Sequence, residues 1–198
     1  MLSRFALSCL LALCFSIMLP AQGLQPYNPS KATNGILIGL GGSLTIGTIF
    51  LDKKVTPMTE LEVKNLTTDK VWPIDRFSLR HLSFEADEFT DKLLLMSFAS
   101  PFFLLLDKAG RDNFDDMAMI VFQGAVLNAA LINLSKTTAK RARPYNYNPD
   151  APLDIKLRKT SRYSFYSGHV ATAAYFSFTT AQLYSDLHPN SRARPYIY

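Results

Sequence analysis

Residues 136–169 read KTTAKRARPYNYNPDAPLDIKLRKTSRYSFYSGH, and the reading of this stretch decides the fold expected around it. It follows the uncharged run Met117 to Ser135. Lys136 and Arg143 are seven residues apart, two turns of an α-helix, so both cations can project from one helix face. Pro144 biases Arg143 away from the α region and predicts that the helix ends there. At the other end, Ser167-Gly168-His169 opens a second apolar, helix-like run. A serine at that helix start, with free N–H groups around Gly168, faces whatever lies before the helix and favours an anion there. Two cations, a hydroxyl, free N–H groups and an imidazole are suited to holding a tetrahedral oxyanion and protonating its leaving group. Taken singly, Lys136 and Arg143 read as snorkelling helix-end cations and His169 as a satisfied core histidine. Their joint spacing makes the phosphate site the better reading.

Working outward, residues 1–23 carry one cation, Arg4, then an apolar run from Phe5 to Leu19, then Pro20-Ala21-Gln22-Gly23. This is the pattern of a secretory signal peptide, with an uncleaved anchor helix as its alternative, and it predicts an exported protein. Both cysteines, Cys9 and Cys14, lie inside it, so the rest of the chain offers neither a disulfide framework nor a thiolate metal site. The length of 198 residues suits one domain, expected over 24–198, and 48% hydrophobic residues suffice for a core or a membrane-embedded bundle. The formal charge is +5, with basic clusters at Lys140-Arg141 and from Lys156 to Arg162. These stand beside a phosphate-type motif and outside any nucleic-acid module, so no nucleic-acid partner is expected. The sequence is silent on oligomeric state.

Four runs without formal charge follow the leader: Gly35 to Leu51, Leu93 to Leu106 with Pro101, Met117 to Ser135, and Tyr163 to Ser185 apart from His169. The first, third and fourth are long enough to span a bilayer; the second is short and is expected to be buried in the bundle or re-entrant. A soluble helical core is the alternative, since the mean hydropathy is only +0.06. Gln123, Asn128 and Asn133 in the third run read as interhelical hydrogen bonders. The segment 52–92 reads as a charged connector, its His81 as a surface or packing residue, and Asp107 to Asp116 as a solvated turn between antiparallel helices. No strand alternation is present. The expected fold is all-α, an antiparallel helical bundle, membrane-embedded.

The spacing Lys136-x6-Arg143-Pro144, followed by Ser167-Gly168-His169, resembles the first two signature motifs of the type 2 phosphatidic acid phosphatase (PAP2) superfamily, which also includes class A bacterial acid phosphatases and vanadium haloperoxidases. The resemblance implies that Lys136, Arg143, Ser167 and Gly168 bind phosphate oxygens and that His169 protonates the leaving oxygen. Tyr166 stands where that family usually has Pro, which affects the rigidity of the turn more than its ligands. A third motif, Ser-Arg, five residues, His, three residues, Asp, supplies the family's nucleophile and does not occur in these residues. Ser191-Arg192 would need His at 198, where Tyr198 stands, and Ser161-Arg162 would need His at 168, where Gly168 stands. Only two other histidines exist, His81 and His188, and neither has the required neighbours. The expectation is therefore a truncated member lacking its last helices, whose coding sequence continues past Tyr198 into the third motif.

By this resemblance an intact member is a phosphatase that hydrolyses phosphomonoesters, whether lipid phosphates, diphosphates or small soluble esters, through a phosphohistidine intermediate. It needs no cofactor and no metal, the cations supplying the charge that a metal otherwise provides. The site is expected to face the periplasmic or extracellular side of a membrane, or to be soluble in the periplasm. The alternatives are a catalytically inactive truncated membrane or envelope protein, and a vanadium-dependent haloperoxidase using the same pocket for vanadate.

Overall fold

The computed structural model describes Tyr27, residues 30–80 and residues 82–197. The signal-peptide expectation for residues 1–23 and the reading of His81 lie outside the described residues. Seven α-helices occur among them, and no strand: α1 (Lys31–Lys53), α2 (Glu60–Lys64), α3 (Phe84–Ala99), α4 (Lys108–Asp112), α5 (Phe114–Ala139), α6 (Leu153–Lys156) and α7 (Gly168–Leu187), with 3-10 turns between them. The fold is all-α, as the sequence leads one to expect.

The long helices start and stop where local chemistry dictates. Ser30 caps α1 by accepting from Thr33 N–H at 3.0 Å, and Ser83 caps α3 by accepting from Ala86 N–H at 3.1 Å. Glu85 and Asp87 then fall in the first turn of α3, where the helix dipole favours negative charge. α5 ends at Lys140, whose φ of 46° is left-handed and whose N–H closes on the Lys136 carbonyl at 3.1 Å. Arg143 is extended at φ −70°, ψ 152°, the conformation Pro144 requires of it.

Four helices run up and down. α1 packs on α5, and α7 packs on both α3 and α5. The α1–α5 approach is close because Gly41 lacks a Cβ, which would stand 2.8 Å from Val126 Cγ1. At one end of the bundle, Tyr27 donates to Asp186 at 3.0 Å, and His188 binds Asp107 and stacks on Tyr184. The segment 107–116 turns between antiparallel helices as expected, but contains the helical turn α4, whose Arg111 guanidinium donates to the Leu105 and Leu106 carbonyls at 2.9 Å each. The opposite end gathers the C-termini of α1 and α5 and the N-termini of α3 and α7.

Three segments are long and apolar enough to cross a membrane by length and composition: Lys31–Lys53, Phe84–Leu106 and Phe114–Tyr147. Two expectations are corrected here. The second run is neither short nor buried: its helix starts at Phe84, inside the charged connector, and only 6% of its apolar window is covered by protein. Charge alone hides this helix, because Glu85 and Asp87 occupy a capped first turn that tolerates them. The fourth run forms α7, but its Ser, Thr, Tyr and Gln residues leave it outside the set of membrane-length apolar helices. Exposed Ile46 and Phe50 on α1, and Leu95, Met96 and Leu106 in the second segment, turn apolar surface outward, which is compatible with a membrane setting.

Gln123, Asn128 and Asn133 also depart from expectation. Among the described residues none makes a side-chain hydrogen bond to another helix: Gln123 Oε1 is buried without a partner, and Asn128 and Asn133 line a cavity between α3, α5 and α7.

Candidate functional site

The two motifs are joined by backbone before any side chain is considered. Arg143 N–H donates to Ser161 C=O at 2.8 Å, and Ser164 N–H donates to Arg141 C=O at 3.1 Å, so the segment after α5 pairs with the segment before α7. Asn146 Nδ2 donates to the same Ser161 carbonyl at 2.9 Å. Buried Lys156 crosses the intervening loop to the Asn148 carbonyl at 2.5 Å. These bonds hold an irregular loop without regular structure, although Asn146 Oδ1 and Ser161 Oγ are buried without a partner.

A second set of contacts ties this loop to the end of α1. Lys159 Nζ is 2.6 Å from Asp52 Oδ2, and the Tyr163 hydroxyl donates to the other oxygen of Asp52. Burial, reinforced by the Asp52 carboxylate, pushes the Tyr163 hydroxyl well above its usual range, so it remains a donor. Arg162 reaches the Thr56 carbonyl at 2.9 Å and Glu62 at 2.7 Å, and Arg141 reaches Asp75 at 2.7 Å. The Thr59 N–H and then Arg162 hold the Glu62 carboxyl at about 2, below its usual 4.5. Its folded value is depressed, so its contribution to stability is complete above pH 4.5 and is lost as pH falls toward 2. In thermal unfolding of wild type and Glu62→Gln, the gap between the two is expected to close across that window. A gap that stays constant would show that the Glu62 contacts carry no linked proton.

Lys136 projects from the last turn of α5 to the start of α7. Its ammonium lies where a side chain on residue 168 would stand: a Cβ built on Gly168 meets Lys136 Nζ at 2.9 Å. The missing side chain lets the ammonium rest against the first turn of α7, and a Cβ there would displace the flexible end of Lys136. Arg143 is near enough to act electrostatically on Lys136, and its Nε is buried without a hydrogen-bond partner. Two like charges side by side, one with an unpaired buried N–H, form an arrangement that an anion stabilises. Ser167 caps α7, accepting from Val170 N–H at 3.3 Å, and puts its hydroxyl and the first N–H groups of the helix at the same end. His169 follows in the first turn, with Nε2 2.6 Å from Asp91 Oδ1 on α3.

Lys136, Gly168 and His169 also border the open cavity between α3, α5 and α7, about 560 Å³ in volume. Its walls are otherwise largely apolar, with Leu94, Phe98, Phe122 and Phe176 among them. The arrangement is thus a cationic end on an apolar cleft. Among the described residues no group of three His, Cys, Asp or Glu side chains is placed to hold a metal ion, and the positive charge present is that of Lys136 and Arg143.

Of the residues singled out from sequence, Lys136, Gly168 and His169 share one cavity, Arg143 lies beside Lys136, and Ser167 caps the helix that carries the other two. His188 is at the far end of the bundle. Sequence reasoning passed over Asp91, Asp52, Asp75 and Glu62, all in the segment read only as a charged connector. The one available signal was Asp91-Lys92 directly before the apolar run from Leu93, which places those charges at a helix end.

Two cations, a helix N-terminus and a histidine thus stand at one end of a helical bundle. Residues 117–197, which carry both motifs, match the family model described as PAP2 superfamily. No curated protein and no solved structure matches the chain.

Proposed function

We propose that the chain binds the phosphate group of a phosphomonoester, with Lys136, Arg143, Ser167 and the Gly168 backbone on its oxygens and His169 as proton donor to the leaving oxygen. The observation that carries this reading is the Lys136 ammonium resting against Gly168 beside an Arg143 whose Nε has no partner. The apolar walls of the adjoining cavity favour an amphiphilic ester, a lipid phosphate or diphosphate, over a small soluble one. In such a reaction an imidazole of the third motif attacks phosphorus, the P–O bond to the alcohol breaks, and the proton of His169 goes to the departing oxygen. Water then cleaves the phosphohistidine. Lys136 and Arg143 stabilise the equatorial oxygens, where the transition-state charge is spread.

The test is phosphate release from a lipid phosphate and from a soluble phosphomonoester by a version of the chain that carries the third motif. Turnover that is indifferent to a chelator, inhibited by vanadate and faster on the lipid is expected. Loss of activity on chelation would remove the reading.

The membrane sidedness also belongs to this proposal. If α1, α3 and α5 all cross, the site lies on the opposite face from the start of α1. An exported site then requires Lys31 to begin on the inner face, whereas a leader that crosses with Arg4 inside, cleaved or kept as an anchor, delivers it to the outer face.

A further inference from the structure

The motif residues come from α5 and α7, yet one contact at the site comes from α3. Asp91 Oδ1 is 2.6 Å from His169 Nε2, a pairing across 78 residues of chain. It joins two helices that pack along their length, so both groups are held by rigid elements rather than by loops. The carboxylate and the imidazole are both partly open to solvent, with side-chain exposures of 65% and 46%. Asp91 has no other hydrogen bond or ion pair among the described residues; its neighbour Lys92 pairs with Glu88 at 2.8 Å. Its carboxylate is thus given to the imidazole alone.

We infer that Asp91 is a positioning residue of the site, occupying the Nε2 side of His169 so that Nδ1 is the ring nitrogen presented to a substrate oxygen. This rests on the reading of His169 as proton donor. An ionised carboxylate only accepts hydrogen bonds, so Nε2 carries a hydrogen whether the ring is neutral or charged. The charged ring then offers Nδ1–H to the leaving oxygen. After that proton has gone, the ring is left as the Nε2–H tautomer, which is the form already paired with Asp91. No ring flip separates one protonation state from the other. Carboxylates that hold the far nitrogen of a working histidine fix its tautomer and orientation in this way.

The experiment uses the full chain, ¹⁵N-labelled on histidine, in detergent micelles, with wild type, Asp91→Ala and Asp91→Asn compared by NMR and by vanadate titration. In wild type a slowly exchanging, downfield ring proton on Nε2 of His169 is expected. It should vanish in Asp91→Ala and persist in Asp91→Asn, whose side-chain oxygen still accepts. Vanadate affinity should fall about fivefold in Asp91→Ala, the worth of one ordinary hydrogen bond to an oriented ring, and far less in Asp91→Asn. A protected proton that survives in Asp91→Ala, or one found on Nδ1 in wild type, overturns the inference and leaves the phosphate site standing if vanadate still binds. A wild-type chain with the Nε2 signal but no affinity for vanadate sinks the phosphate site, and with it any role for Asp91 there.

Discussion

Replacing Lys136 with alanine, or Arg143 with alanine, is expected to lower the affinity of the chain for inorganic phosphate by about one to two orders of magnitude, the range of one charge-assisted hydrogen bond. Folding should be unaffected. Neither side chain makes a hydrogen bond or ion pair among the described residues, and Arg143 acts on Lys136 as a like charge. Removing either relieves a repulsion and leaves no acid unpaired, so thermal unfolding should occur at the same temperature or slightly higher. Binding residues that cost stability in the free protein are the expected signature of a preorganised anion site. Calorimetric titration with phosphate and a thermal melt on the same samples decide the matter. Undiminished affinity in either variant would mean that the wrong cations have been assigned; a large drop in melting temperature would mean that they are structural.

The second expected result is that residues 1–198 release no phosphate from any phosphomonoester. His169 stands at the start of α7, assigned the leaving-group side of phosphorus, and a proton donor there cannot also attack from the opposite side. The only other described histidine, His188, is at the far end of the bundle, its Nδ1 3.0 Å from the Tyr184 carbonyl and its Nε2 on Asp107. No displacement of side chains within a helix carries it to the other end. Phosphate release from a soluble ester and from a lipid phosphate, with His169→Ala as control, is the assay. Turnover well above background that disappears in His169→Ala would show that a nucleophile has been overlooked, with His169 itself the first candidate because its pairing with Asp91 leaves one ring nitrogen free.

The local geometry of the candidate site was legible in the sequence in part. Pro144 holds Arg143 extended and Ser167 caps α7 as expected, but α5 already ends at Ala139, so Arg143 approaches Lys136 from the loop and the two cations do not share a helix face. The second span was misread because its boundary was drawn at the last charge, whereas Ser83 begins the helix at Phe84 and carries four acids, Glu85, Asp87, Glu88 and Asp91, into it. The partners of the motif loop were illegible for a different reason. Asp52 and Lys159, Glu62 and Arg162, and Asp91 and His169 are separated by 107, 100 and 78 residues, and nothing local in a sequence tells which acid will face which base. Asn128 and Asn133 were misassigned because a polar residue on an apolar helix reads the same whether it meets a neighbour or lines a cavity, and here it lines a cavity.

A structure of the full chain determined with vanadate is the most direct measurement of the central claim, that residues 136–169 form one tetrahedral-oxyanion site. The account predicts vanadium between the Lys136 ammonium, the Arg143 guanidinium and the first N–H groups of α7, with His169 at an apical oxygen. Vanadate seated instead on the surface cations Lys140 and Arg158, with the space between Lys136 and Gly168 unchanged, would contradict it.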